Sequence, residues 1–192
     1  MKKKETITHE GKVFEKVAFT ESEISGRKFI DCTFRKCQLN GLSFSECHFT
    51  DCVFEDCDLS LLKVKGSFFS RVEINRCKAI GIHWFDSGDP FSVRFTDSII
   101  SYSSFFGKNI KKAKFKNCVA KETDFSECTL IQADLSGCDL TQARFSGTDL
   151  TQADLRGAQG YYINFAENKT SKALFSLPEA LCLLDQFDII VE

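Results

Sequence analysis

The sequence is poor in the residues that carry chemistry or break up a chain: 3 histidines, 2 prolines, 1 methionine and 1 tryptophan among 192 residues. The histidines, at positions 9, 48 and 83, form no catalytic constellation. No G-x-S-x-G elbow, H-E-x-x-H pair or phosphate-binding glycine loop accompanies them. The expectation is a protein that is not an enzyme and needs no cofactor or metal. An excess of charge is missing too, with 25 Lys+Arg against 27 Asp+Glu and a formal charge of −2, which excludes a strongly basic nucleic-acid binder. No run approaches the ~18 consecutive apolar residues of a membrane span. The basic opening Met1-Lys-Lys-Lys4 is not followed by the apolar stretch of a secretory signal. A cytoplasmic protein without membrane contact is therefore expected. Hydrophobic content of 43% with 27% charged residues excludes a disordered chain.

Phenylalanine (20 residues) and cysteine (10) are present in excess. Stepping by five from Phe14 meets Phe19, Ile24, Phe29, Phe34, Leu39, Phe44, Phe49, Phe54, Leu59, Val64, Phe69, Ile74, Ala79 and Trp84, all apolar. The rule resumes at Phe95 and runs through Ile100, Phe105, Ile110, Phe115, Ala120, Phe125, Leu130, Leu135, Leu140, Phe145 and Leu150 to Leu155. A period of five fits neither a helix nor an ordinary strand. It fits a coil of five-residue sides, each closed by a turn, with every fifth side chain on a central axis. Nine of the ten cysteines lie two positions before such a centre, in a slot shared with Ala, Ser and Thr. Eight of eleven glycines lie two positions after one, where a type II corner needs positive φ. The cysteine spacing lacks the C-x2-4-C pairs of a zinc site. Pairs one coil apart, such as Cys37 and Cys57, are close enough to bridge, but reduced thiols acting as small core residues are expected in the cytoplasm.

The segments Ala133-Asp-Leu-Ser-Gly137, Cys138-Asp-Leu-Thr-Gln142, Ala143-Arg-Phe-Ser-Gly147, Thr148-Asp-Leu-Thr-Gln152 and Ala153-Asp-Leu-Arg-Gly157 resemble the A-(D/N)-L-x-x pattern of pentapeptide-repeat proteins. The resemblance covers roughly residues 14–175. It implies an all-β fold, a right-handed quadrilateral β-helix of about eight coils and ~40 Å, with a short C-terminal α-helix. Twenty residues per coil predict stacks of Phe14, Phe34 and Phe54; of Phe29, Phe49 and Phe69; and of Phe105, Phe125, Phe145 and Phe165. The expected organisation is a leader at 1–13, coils at 14–84, an irregular loop at 85–94, coils at 95–175 and a cap at 176–192.

The step from Trp84 to Phe95 is 11 residues rather than 10, and the segment between contains Pro90. Trp84, Phe85, Asp86, Ser87, Gly88, Asp89, Pro90 and Phe91 are expected to form a loop that contacts a partner or is a harmless insertion. Ser176-Leu-Pro-Glu179 has the form of a capping box. The apolar Ala180, Leu181, Leu184, Phe187, Ile189 and Ile190 after it resemble the terminal dimerisation element of Qnr-type members, which implies a two-fold homodimer. Charge is graded along the chain. Residues 1–120 hold 20 Lys+Arg and 15 Asp+Glu (+5), and residues 121–192 hold 5 and 12 (−7). Asp124, Glu127, Asp134, Asp139, Asp149 and Asp154 would make an acidic surface that rings the rod. Duplex DNA of ~40 Å carries about 23 charges, so mimicry of DNA by net charge fails. The resemblance to Qnr and to immunity proteins of gyrase-poison producers implies a partner in DNA gyrase, through its A subunit, or topoisomerase IV. It implies protection from a quinolone or toxin, without direct nucleic-acid binding. A scaffolding solenoid with an unrelated partner is the other reading of the same residues.

Overall fold

The computed structural model describes residues 6–187 and 189. Three-residue strands alternate with tight corners. An apolar centre can point inward from such a strand while both neighbours face out, so one strand builds one side of the coil. The first face stacks β1 (Thr8–Glu10), β4 (Lys28–Ile30), β7 (His48–Thr50) and β9 (Phe68–Ser70) in parallel register. The second stacks β2 (Val13–Glu15), β5 (Thr33–Arg35), β8 (Val53–Glu55), β10 (Val72–Asn75), β11 (Val93–Thr96) and β12 (Lys114–Lys116). Isolated bridges extend this ladder through Asp134 and Asp154 to Leu174, so nine rungs run from Val13 to Leu174. The third face is a column of bridges from Ala18 to Gln159. The fourth begins with β3 (Glu23–Ser25) and β6 (Ser43–Ser45), extends by a bridge to Lys63, and resumes from His83 through Ser104 and Asp124 to Arg144. The result is the right-handed quadrilateral β-helix. No helix among the described residues is long and apolar enough to cross a membrane.

The centres form the core. Phe14, Phe34 and Phe54 stack at 4.8 and 4.6 Å between ring centroids, and Phe29, Phe49 and Phe69 at 4.9 and 5.0 Å. Phe105, Phe125 and Phe145 stack at 5.4 Å, but Phe165 leaves the column and faces Phe187 instead. The cause is local: residues 160–168 step out of the ladder beyond the positive-φ Gly160. The leader boundary also moves. Coiling begins by Thr8, and His9 takes a centre position with its ring stacked on Phe29 at 5.0 Å.

Corners turn at the residue two after each centre. Nine glycines adopt positive φ there, and so do nineteen non-glycine residues from Lys16 to Lys172. The corner is thus set by the repeat and only eased by glycine. The small slot is also more than small. Its side chain donates a hydrogen bond to the carbonyl of a centre in the preceding coil: Cys47 Sγ to Ile24 O at 3.3 Å, Ser67 Oγ to Phe44 O at 2.8 Å, Thr123 Oγ1 to Ile100 O at 3.0 Å. Cys, Ser and Thr interchange because each supplies a compact donor.

The C-terminal segment is a 3-10 helix, Glu179–Phe187, rather than an α-helix. Ser176 does not close a capping box, because its hydroxyl accepts the Gly157 N–H at 2.8 Å. Leu183 is buried against the last coil. The Gln186 amide fastens the helix to the open rung, accepting Phe165 N–H at 3.0 Å and donating to Ile163 O at 3.3 Å.

Candidate functional site

The coil register changes from 20 to 21 residues at a single turn. Val53 pairs with Glu73, but Glu73 pairs with Arg94, and His83 with Ser104. The bond from Leu61 N to Ile80 O keeps the ordinary ladder step and that from Val72 N to Ser92 O is one residue longer, so the extra residue lies between Ile80 and Ser92. One side of this coil therefore has six residues, and the first-face ladder is interrupted between Phe68–Ser70 and Asn109.

The insertion folds inward, and this corrects part of the partner-loop expectation. Trp84 opens a 3-10 turn, Trp84–Asp86, and is fully buried. Phe91 takes the place of the missing centre, 5.5 Å from Trp84, 6.2 Å from Phe69 and 6.3 Å from Phe105 by ring centroids. These two rings fill the core and offer nothing to a partner. Phe85 alone of the three aromatics is exposed, stacked on His83 at 5.3 Å. Ser87 is buried, its hydroxyl donating to Trp84 O at 2.7 Å. Gly88 packs so closely that a Cβ would run into the Phe68 ring.

A residue the repeat pattern passed over holds this insertion. Lys108 occupies the small inward slot two before Ile110, and its side chain is 5% exposed. Its ammonium donates to Ser87 O at 2.8 Å and to Asp89 Oδ1 at 3.0 Å, and lies 5.5 Å from the centre of the Phe91 ring. A buried cation needs such partners. The legible signal was a lysine in a column of Cys, Ser, Thr and Ala.

Five of the six acidic residues are distributed round the rod: Asp134 and Asp154 share the second face, Asp124, Asp139 and Asp149 lie on the fourth, third and first, and Glu127 stands at a corner with positive φ. Most of their charge is already engaged. Each of the five aspartates accepts the backbone N–H two residues on, at 3.0–3.1 Å, so the Asp of the repeat is a turn residue. Four also face a cation: Asp124 with Arg144 at 3.1 Å, Asp139 with Lys121 at 3.1 Å, Asp154 with Arg156 at 2.6 Å and Asp149 with Lys169 at 4.0 Å. At Asp124, burial disfavours ionisation. Hydrogen bonds from Ser126 and Arg144 outweigh it, and the carboxyl lies below its ordinary range. Among the described residues Asp134 and Glu127 form no ion pair with a cation, and the exposed Lys111, Lys112, Lys114 and Lys116 near mid-rod form none with a carboxylate.

At the end of the rod, Leu181, Phe187 and Ile189 are exposed, as is Leu177, while Ala180 and Leu184 are half-buried against the cap. Ile190 lies outside the described residues.

Two sequence profiles cover most of the chain. That for a pentapeptide repeat region matches residues 12–84 and 27–105, and that for pentapeptide repeats in eight copies matches 109–147 and 121–157. The chain belongs to the pentapeptide-repeat family. Among solved structures, this pentapeptide-repeat rod is similar in fold to a trypsin-treated form of QnrB1, a plasmid-mediated fluoroquinolone resistance protein. The TM-score is 0.66 at 20% identity, over 98% of this chain and 100% of that one. A second trypsin-treated form gives 0.65 at 18% identity, over 97% and 98%. Full-length QnrB1 gives 0.58 at 19% identity, over 95% and 100%. No curated protein sequence matches the chain.

Proposed function

We propose that this pentapeptide-repeat protein is a non-catalytic binder of a type II DNA topoisomerase, DNA gyrase through its A subunit or topoisomerase IV, and that it acts in the cytoplasm. In this reading it shields the enzyme from quinolones or from a gyrase-poisoning toxin. The observation that carries it is the likeness in fold to QnrB1 over almost the whole length of both chains. Shape rather than charge carries the recognition, because the aspartates that would imitate a phosphate backbone are committed to turns and ion pairs. Two copies joined at their C-termini make the active form.

The test is a supercoiling assay with purified gyrase, titrated with this protein in the presence and absence of a quinolone. The expected result is restored supercoiling in the presence of the drug. The absence of both protection and inhibition at micromolar protein would overturn the proposal.

A further inference from the structure

Between Val13 and Tyr162, four large apolar side chains are exposed among the described residues: Leu61, Phe85, Tyr102 and Phe106. All four stand on the two corners that border the fourth face. Leu61 and Tyr102 are the positive-φ residues of one corner, two coils apart with Gly81 at the same corner between them. Phe85 and Phe106 each follow a centre of the same column, Trp84 and Phe105, and so stand on the opposite corner. His83 lies on the face between and stacks on Phe85. Scattered exposed apolar residues need no explanation, but four confined to the margins of one face do.

This face is also hollowed. Gly81 leaves room for Leu61 to fold over it; a Cβ there would lie 2.9 Å from Leu61 Cδ2. The groove that results, about 500 Å³, is lined by Leu61, Lys63, Lys65, Gly81, His83 and Asp86, among others. Lys63 and Lys65 face no carboxylate in an ion pair among the described residues. An apolar floor with aromatic margins and two unpaired lysines complements one kind of occupant, an apolar anchor side chain flanked by carboxylates.

We infer that the fourth face at mid-rod is the docking surface for the topoisomerase, and that it takes a segment presenting an aliphatic or aromatic side chain beside acidic residues. The inference rests on the function proposed above and adds the face and the partner's chemistry. Phe85 and Phe106 are the anchors, since exposed aromatics that become buried carry most of an interface's energy. Lys63 and Lys65 steer the acidic segment in.

The test is binding of the full chain to immobilised gyrase A subunit and, separately, to topoisomerase IV. Wild type is compared with F85A/F106A and with K63E/K65E. All four substituted positions are exposed, and matching circular dichroism and melting curves certify the fold. F85A/F106A is expected to lose at least about tenfold in affinity, chiefly through faster dissociation. K63E/K65E is expected to associate several-fold more slowly and with weaker salt dependence. If wild type binds neither enzyme, the proposed function and the docking face fall together. If wild type binds and F85A/F106A binds equally well, the docking face alone is overturned. If F85A/F106A lowers the mass of the protein in light scattering, the face joins copies of this chain and the inference is likewise overturned.

Discussion

A cysteine in this rod is a short hydrogen-bond donor before it is anything else. Sequence spacing alone separates the nine slot cysteines from metal ligands, and their interchange with Ala, Ser and Thr marks a small inward position. That the slot prefers a donor was not legible, because the acceptor is a carbonyl 23 residues earlier and only the coil brings it near. Burial is the main cause that pushes Cys52 and Cys128 up to about 12, so their thiolates are scarce at neutral pH. Thiol titration with a disulfide reagent should therefore leave the nine buried cysteines silent in the native protein. Cys182, half-buried in the terminal helix, should react first, and all ten should react after denaturation. Fewer than ten free thiols in the denatured protein would reveal disulfides and contradict the reduced core. Corner residues carry the same lesson about strain. Glycine was readable as a corner signal, but nineteen other residues accept a left-handed conformation that costs each of those without a short polar side chain on the order of 1 kcal/mol. The ladder on both sides of the corner over-determines them.

Periodicity predicted the sides of the coil one by one, and it failed only where an element is shaped by what it must cover. The extra residue between Trp84 and Phe95 was visible as a one-step change of phase. Its inward fold was not, because the deciding partner, Lys108, comes from the next coil. Likewise Ser176 and Glu179 spell an N-terminal box, yet the open end of the rod claims Ser176 for Gly157 and stretches the segment into a 3-10 helix. Lys108 gives this scale its sharpest test. Lys108→Met keeps the length and most of the volume but removes the donor to Ser87 O and leaves that carbonyl in a buried site. An unpaired buried acceptor costs about 1–3 kcal/mol, so the melting temperature should fall by several degrees. Hydrogen exchange should rise selectively at residues 87–92. Unchanged exchange there, or a uniform rise along the whole rod, would show that the lysine does not hold the insertion.

At the scale of the whole molecule, a solenoid has two ends and must cover or pair each of them. The terminal helix covers one end incompletely. Leu183 and Gln186 close the last rung, but Leu177, Leu181, Phe187 and Ile189 remain exposed to solvent. In the proposed dimer this apolar surface packs against its own copy about a two-fold axis, so that two rods of ~40 Å make one of ~80 Å. Light scattering at micromolar concentration should then give twice the 21.7 kDa of one chain. The pair L181D/F187D alters only exposed positions, so it should yield a folded monomer with an unchanged circular dichroism spectrum. Because Phe85 and Phe106 lie at mid-rod, F85A/F106A should stay dimeric while losing its partner, and L181D/F187D should keep the docking face while losing the second copy. If the wild type is a monomer, the exposed cap belongs to some other contact. The acidic C-terminal half would then stand at a free end rather than at the centre of the assembly.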